Sequence, residues 1–240
     1  MAADFEIIRM GVGLVMFASA SFFDLRTRSV SDLLWIFFAP IVVILYLFDF
    51  PATHWEGMMI VLSIAVSTSI SYCAYKSGLL GGADMLALVT FAAIIPIYDY
   101  EPLIASNGAI AFLHPFAPMI VLSNALVLSL VQILVNVLRN LAKKGALFDG
   151  LHHEPRSKKI FAMIIGHRSE KPGYAFPLER VANGRREFDF QLKPAESAEY
   201  ETRKDVWVTT ATPFIVYMTV GLVIMILSGD VLALIFSTIL

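Results

Sequence analysis

The chain has 240 residues, of which 58% are hydrophobic, with a mean hydropathy of +0.72 and a formal net charge of −2. Such a composition lies beyond the usual soluble range and places the chain among integral membrane proteins. The single cysteine, Cys73, lies in an apolar segment and excludes an internal disulfide and any CxxC metal site.

A helix needs about 20 apolar residues to cross the hydrocarbon core, fewer if flanking side chains snorkel. The first candidate runs from Phe5 to Phe23. Asp4 and Glu6 at its start, Arg9 as its only positive charge and a charged DLRTR turn after it do not fit a cleaved signal peptide, so it reads as a retained span. Further spans are predicted over Leu33–Phe48, Gly57–Tyr75, Met85–Ile97, Pro118–Leu138 and Val208–Leu227. The fourth is the shortest, so neighbours must cover its ends or it must extend beyond Pro96. The run Val231–Leu240 is too short for a seventh span and reads as a continuation of the last one or an interfacial segment.

Lysine and arginine near the ends of spans stay cytoplasmic. Arg26 and Arg28 follow span one, Lys76 precedes the turn between spans three and four, and Arg139–Lys204 is rich in basic residues. The alternate loops, Asp49–Glu56 and Tyr98–Ala117, contain no Lys or Arg. The expected orientation therefore has both termini outside and the basic segment in the cytoplasm. The expected fold is an all-α polytopic membrane protein with six transmembrane helices and a small cytoplasmic insert, α+β or irregular, before the last helix. Residues 1–138 form a membrane domain of five helices, 139–206 a basic cytoplasmic domain, and 207–240 the sixth helix and a C-terminal segment.

In the insert, Ile160–Gly166, followed by turn-formers at Lys171-Pro172-Gly173 and Asn183-Gly184, reads as a few short strands or a strand and a helix. Phe161, Ile164, Phe176, Phe188 and Phe190 argue against a disordered loop. The segment is a candidate for docking anionic lipid headgroups or guiding a substrate. His152-His153-Glu154 does not project to one point, so no metal site is expected. His54 and His114 lie in the opposite loops and read as exposed or interfacial. Ser67, Ser69, Asn124 and Gln132 are expected to make interhelical hydrogen bonds.

Two acids stand out, Asp24 in FFDLRTRSVSDLLW and Asp84 in GLLGGADMLALV, each where an apolar segment meets a polar turn on the cytoplasmic side. A carboxylate at such a boundary is costly unless it works or is paired. Two carboxylates sharing a water do not both ionise easily: one holds a proton and the other is a base that can activate the water against a peptide carbonyl. Gly78, Gly81 and Gly82 let the backbone bend near Asp84. Helix capping explains Asp84 taken alone, an interfacial charge beside Arg26 and Arg28 explains Asp24, and Asp32 reads as the N-cap of span two.

Read together, Gly81-Gly82-Ala83-Asp84 matches a relaxed GxGD signature, and Asp24-x-Arg26-x-Arg28-x-Val30-x-Asp32-x-x-Trp35 resembles the first-aspartate region of type IV prepilin peptidases. More specifically the chain resembles archaeal preflagellin peptidases, with Pro118-Met119, Asn124, Arg139-Asn140, the basic insert, Trp207-Val208-Thr209 and Pro213 in order. The resemblance implies a membrane aspartyl endopeptidase with Asp24 and Asp84 as catalytic pair and Gly81 and Gly82 shaping the approach to Asp84. It implies no cofactor and no nucleic-acid partner. The substrates would be archaellin or pilin-like precursors, whose short basic leader is cut at the cytoplasmic face of the lipid bilayer. Acids such as Asp32, Glu154 or Glu170 would have to offset Arg26 and Arg28 for that leader to approach.

Leu86 stands where many relatives have a lysine. With one cysteine and no glycine-rich cofactor loop, methylation of the new N-terminus is not expected. The YD and PAL motifs of presenilin-like proteases are not in place. The rival reading is a small proton- or cation-coupled transporter using Asp24 and Asp84, against which stand their position at one face and the lack of a repeated half. A third is an inactive scaffold for filament assembly.

Overall fold

The computed structural model describes residues 2–98, 115–143, 147–182, 184–191, 199–211 and 213–239, without the side chains of 2–4, 238 and 239. Most of the Tyr98–Ala117 loop, His114, Lys144 and Asn183 lie outside the described residues. The chain divides into two compact units, residues 1–128 with 213–240, and residues 129–212.

The first unit holds α1 (Ala2–Thr27), α2 (Asp32–Phe48), α3 (His54–Lys76), α4 (Gly82–Ile94), the first half of α5 (Ala117–Ala142), and, later in the chain, α7 (Phe214–Ser228) and α8 (Val231–Ile239). Among the described residues, α1 from Phe5, α3 and α5 are each long and apolar enough to cross a membrane. The α7–α8 pair, bent by 53°, passes the same test as one broken span, while α2 and α4 are apolar but shorter. The expected sixth span starts too early: Val208–Thr210 belong to a strand, and the helix begins at Phe214 after Pro213. The fourth stops at Ile94 and does not run past Pro96.

Short α4 is enclosed: α1, α2, α3 and α7 all pack on it. Ala87, Leu88, Phe91, Ala92 and Ile94 are buried there, against Met16 and Phe17 of α1 and Leu222 of α7 in the same core. Small residues permit these approaches. A Cβ on Gly13 would lie 2.9 Å from the Phe91 ring, and one on Gly221 would lie 2.8 Å from the Val121 carbonyl. Ser63, Ser67 and Ser71 form the buried stripe of α3, spaced four apart as helix neighbours require.

Of the four polar residues expected to link helices, Asn124 does so, donating to the carbonyls of Gly221 (3.2 Å) and Gly229 (3.1 Å) and accepting from Val231 N–H (3.0 Å). At Gly229 and Val231 it thereby satisfies backbone groups freed at the α7–α8 break. Ser69 instead bonds the Ala65 carbonyl of its own helix, Gln132 bonds Asn136 one turn on, and the buried Ser67 hydroxyl has no partner among the described residues. A hydroxyl's own i−4 carbonyl is always within reach, whereas an interhelical partner depends on packing.

The second unit contains residues 129–142 of α5, α6 (Arg156–Ile165), β1 (His167–Ser169), β2 (Ala175–Pro177), β3 (Glu179–Ala182), β4 (Arg185–Phe188) and β5 (Val206–Thr210). Strand β5 lies between β1 and β2, antiparallel to both, with His167 opposite Val208 and Ala175 opposite Thr210. Strands β3 and β4 form a hairpin whose turn holds Gly184 at φ +73°. Most of Ile160–Gly166, read as strand or helix, is helix. Its core is Leu151, Ala162, Leu178, Phe188 and Trp207, with Phe148 stacked on Trp207 at 5.3 Å. Gly166 leaves no room for a side chain, since a Cβ would run into the Val208 carbonyl oxygen and the Leu178 side chain. Ion pairs frame this core: Arg168 with Asp205, Arg186 with Glu179 and Arg203 with Glu201.

Candidate active site

Helix α1 ends in polar, exposed residues, and Arg28 closes it with φ 55°, its N–H donating to the Asp24 carbonyl at 2.9 Å. A left-handed residue at a helix C-terminus is a common stop, though glycine usually fills it. Asp24 lies on the last turns of α1, half-buried, with the Arg28 charge acting on it.

The α3–α4 turn is built for close approach. Gly78 takes φ +73°, which lets Leu79 and Leu80 N–H both return to the Ala74 carbonyl. Asp84 then falls in the first turn of α4, and its Oδ2 accepts from Gly81 N–H at 2.8 Å. The capping explanation of Asp84 is thus correct as far as it goes. The carboxylate also accepts from the backbone N–H of Ile215, in the first turn of α7, and is near enough to Asp24 for the two charges to act on each other.

Gly81 and Gly82 differ. A Cβ on Gly81 would lie 3.1 Å from Asp84 Oδ2, tighter than an ordinary contact, whereas one on Gly82 would meet Tyr75 at 3.7 Å. The structure therefore gives Gly81 a steric reason beside Asp84 and gives Gly82 none. Leu86 packs at the edge of the main core. Asp32 is not the cap of α2: Ser31 is, its Oγ accepting from Leu33 N–H at 3.3 Å.

One turn before Asp24, the Ser21 and Thr219 hydroxyls share a 2.6 Å hydrogen bond between α1 and α7. Thr219 also donates to the Ile215 carbonyl (2.9 Å), tying this clasp to the turn that supports Asp84. Neither Ile215 nor Ser21–Thr219 was foreseen. A backbone N–H leaves no trace in sequence, and the two hydroxyls are 198 residues apart.

Apolar spans with two interacting carboxylates at the meeting of α1, α4 and α7 define a multi-pass membrane protein with a polar site at one end of its helices. A family model described as the type IV leader peptidase family matches residues 11–135, which include Asp24 and Asp84. Another, described as the archaeal peptidase A24 C-terminus, type II, matches residues 156–231. The chain belongs to the type IV leader peptidase family.

It is 26% identical to a preflagellin peptidase of Methanocaldococcus jannaschii over 93% of this chain and 95% of that protein. A preflagellin peptidase of Methanococcus maripaludis is 25% identical, over 94% of this chain and 95% of the relative. One of Methanococcus voltae is 24% identical over 93% and 96%.

Proposed function

We propose that the chain is a membrane aspartyl endopeptidase that removes the short basic leader from archaellin or type IV pilin-like precursors at the cytoplasmic face. The observation that carries this reading is the approach of Asp24 on α1 to Asp84 on α4. Family membership and similarity to preflagellin peptidases along nearly the whole chain support it.

One carboxylate acts as base and takes a proton from a water held between the two. The water oxygen attacks the scissile carbonyl carbon, and the protonated partner hydrogen-bonds the carbonyl oxygen as it gains charge. Collapse of the tetrahedral intermediate breaks the C–N bond, and a proton passes from the aspartate pair to the leaving amine. Gly81 and Ile215 N–H groups hold Asp84 in place throughout. Arg28 acts on Asp24, so part of its charge is answered before a basic leader arrives.

In this reading α2 and α4 complete a six-span plan. At ~1.5 Å per residue, α4 covers only about 20 Å of a core about 30 Å thick. Its enclosure by four helices makes that length tolerable, because little of it meets lipid. The charge asymmetry of the loops supports an orientation with both termini outside and the aspartates and basic insert inside.

The test is cleavage of an archaellin precursor by purified protein in detergent. Asp24→Asn and Asp84→Asn each lower turnover by at least about a thousandfold while leaving the melting profile intact, in the upper range for loss of a general acid or base. Near-normal cleavage by either variant removes that residue from the mechanism.

A further inference from the structure

In the second unit, α6 has the sequence RSKKIFAMII and turns two large apolar residues outward beside Arg156 and Ser157. Ile160 is 60% and Phe161 47% exposed, while Ala162 is buried in the unit's core. At helical spacing Ile160, Phe161 and Ile164 share one face, flanked by Ser157 and Arg156. Among the described residues Arg156 has no hydrogen-bond or ion-pair partner, and Lys159 donates to the His152 carbonyl (2.9 Å), which leaves its charge uncancelled. Lys158 is offset by Glu154 at 3.0 Å. A soluble helix reverses this arrangement, hiding its large apolar residues.

The C-terminal end of α6 is anchored on α5. Asn140 of α5 donates to the carbonyls of Met163 (3.1 Å) and Gly166 (2.8 Å), and Asn136 donates to that of Ile164 (3.2 Å). These asparagines lie in the last two turns of a helix long and apolar enough to span the bilayer, within about 9 Å of its end at ~1.5 Å per residue. Leu134, Leu138 and Leu141 are more than half exposed along the same stretch. The C-terminal end of α6 is therefore tied to the last two turns of α5, close to one end of that candidate span.

We propose that α6 is an interfacial helix that seats Ile160 and Phe161 in the cytoplasmic leaflet of the protein's own membrane, with Arg156 and Lys159 on anionic headgroups. The bilayer edge fits this surface because apolar and cationic groups sit side by side on it. The assignment depends on the chain's being a membrane protein and not on its peptidase chemistry.

The test places an environment-sensitive fluorophore at Phe161→Cys in a Cys73→Ser background, in nanodiscs of phosphatidylcholine alone or mixed equally with phosphatidylglycerol. The expected result is quenching by lipid-borne nitroxide well above that by aqueous iodide, rising severalfold with the anionic lipid. Arg156→Glu in the same labelled protein abolishes most of that rise, and because Arg156 is exposed and has no partner among the described residues the variant folds. Dominant quenching by iodide, equal lipid quenching in both nanodiscs, or a signal that tracks protein concentration as for self-association each overturns the proposal. Cleavage is not the readout, so a failed α6 assignment leaves the proposed peptidase untouched and the reverse also holds.

Discussion

Asp84 serves the helix and the site with one side chain. Its Oδ2 takes the Gly81 N–H at 2.8 Å, so the bond that starts α4 also sets the carboxylate's direction. Gly81→Ala puts a methyl 3.1 Å from that oxygen and pushes it aside by a few tenths of an ångström. Turnover should fall about tenfold, since small misplacements of a reacting group are costly. Gly82→Ala meets Tyr75 at an ordinary distance and should stay within about twofold, because nothing moves beside Asp84. Equal losses in a side-by-side kinetic comparison would refute this division.

The Ile215 N–H gives a second prediction at the same scale. It lies in the first turn of α7, where an N–H has no intrahelical acceptor and proline is tolerated. Ile215→Pro therefore deletes the donor to Asp84 without removing a hydrogen bond of the helix, and Ile215→Val is the packing control, since this side chain is buried. Proline should cost about tenfold in kcat, against less than about twofold for valine, consistent with a bond that orients a reacting group. Matching rates would make the contact incidental.

Among the elements, α4 depends on its neighbours at both ends. Opposite the aspartates, Arg9 of α1 donates to the Ile94 carbonyl (2.8 Å) and to Asp49 Oδ2 (3.2 Å), with its guanidinium 4.6 Å from the centre of the Tyr46 ring. It serves the C-terminal ends of α4 and α2, where the helix dipoles favour a cation. This explains a lone arginine at the end of span one expected to face outside: its charge is committed to helix ends. Arg9→Met should lower stability by about 2 kcal/mol, mainly from the buried Ile94 carbonyl left unpaired. The melting temperature in detergent reads this out, and an unchanged midpoint would refute it.

At the scale of the whole molecule, the two units are held by different forces. The membrane unit relies on apolar packing and small-residue contacts, whereas the insert frames a small core with ion pairs. The Arg168 guanidinium holds Asp205 below the usual carboxylate range against the effect of burial, and Arg203 does the same for Glu201. A carboxyl depressed in the fold contributes stability above its unfolded value and loses it as pH falls through the folded one. The insert should therefore lose order as the pH drops through and below the ordinary carboxylate range, while α1, α3 and α7 persist. Hydrogen exchange, corrected for its intrinsic pH dependence, should show β5 deprotected in acid first. Asp205→Asn should bring that loss to higher pH, and equal protection of β5 in acid and at neutrality would refute the prediction.

Much of this protein is legible in its sequence. Its membrane character and the approximate places of α1, α2, α3 and α5 follow from hydropathy, a property of local sequence. Asp24 and Asp84 stood out because a carboxylate beside an apolar run is costly, and the GxGD-like turn is contiguous in the chain. What the tertiary structure decided is non-local. Residues 208–210 lead toward an apolar run yet form a strand, because β1 and β2 offer them backbone partners some 31 to 41 positions away. The start of α7, the enclosure that lets a helix as short as α4 lie in the core, and the nearness of Asp24 to Asp84 depend on which helices touch. So do the Ile215 N–H and the Ser21–Thr219 clasp. A side chain's cost can be read from its neighbours in sequence, but its partner is chosen by packing, which only the folded chain specifies.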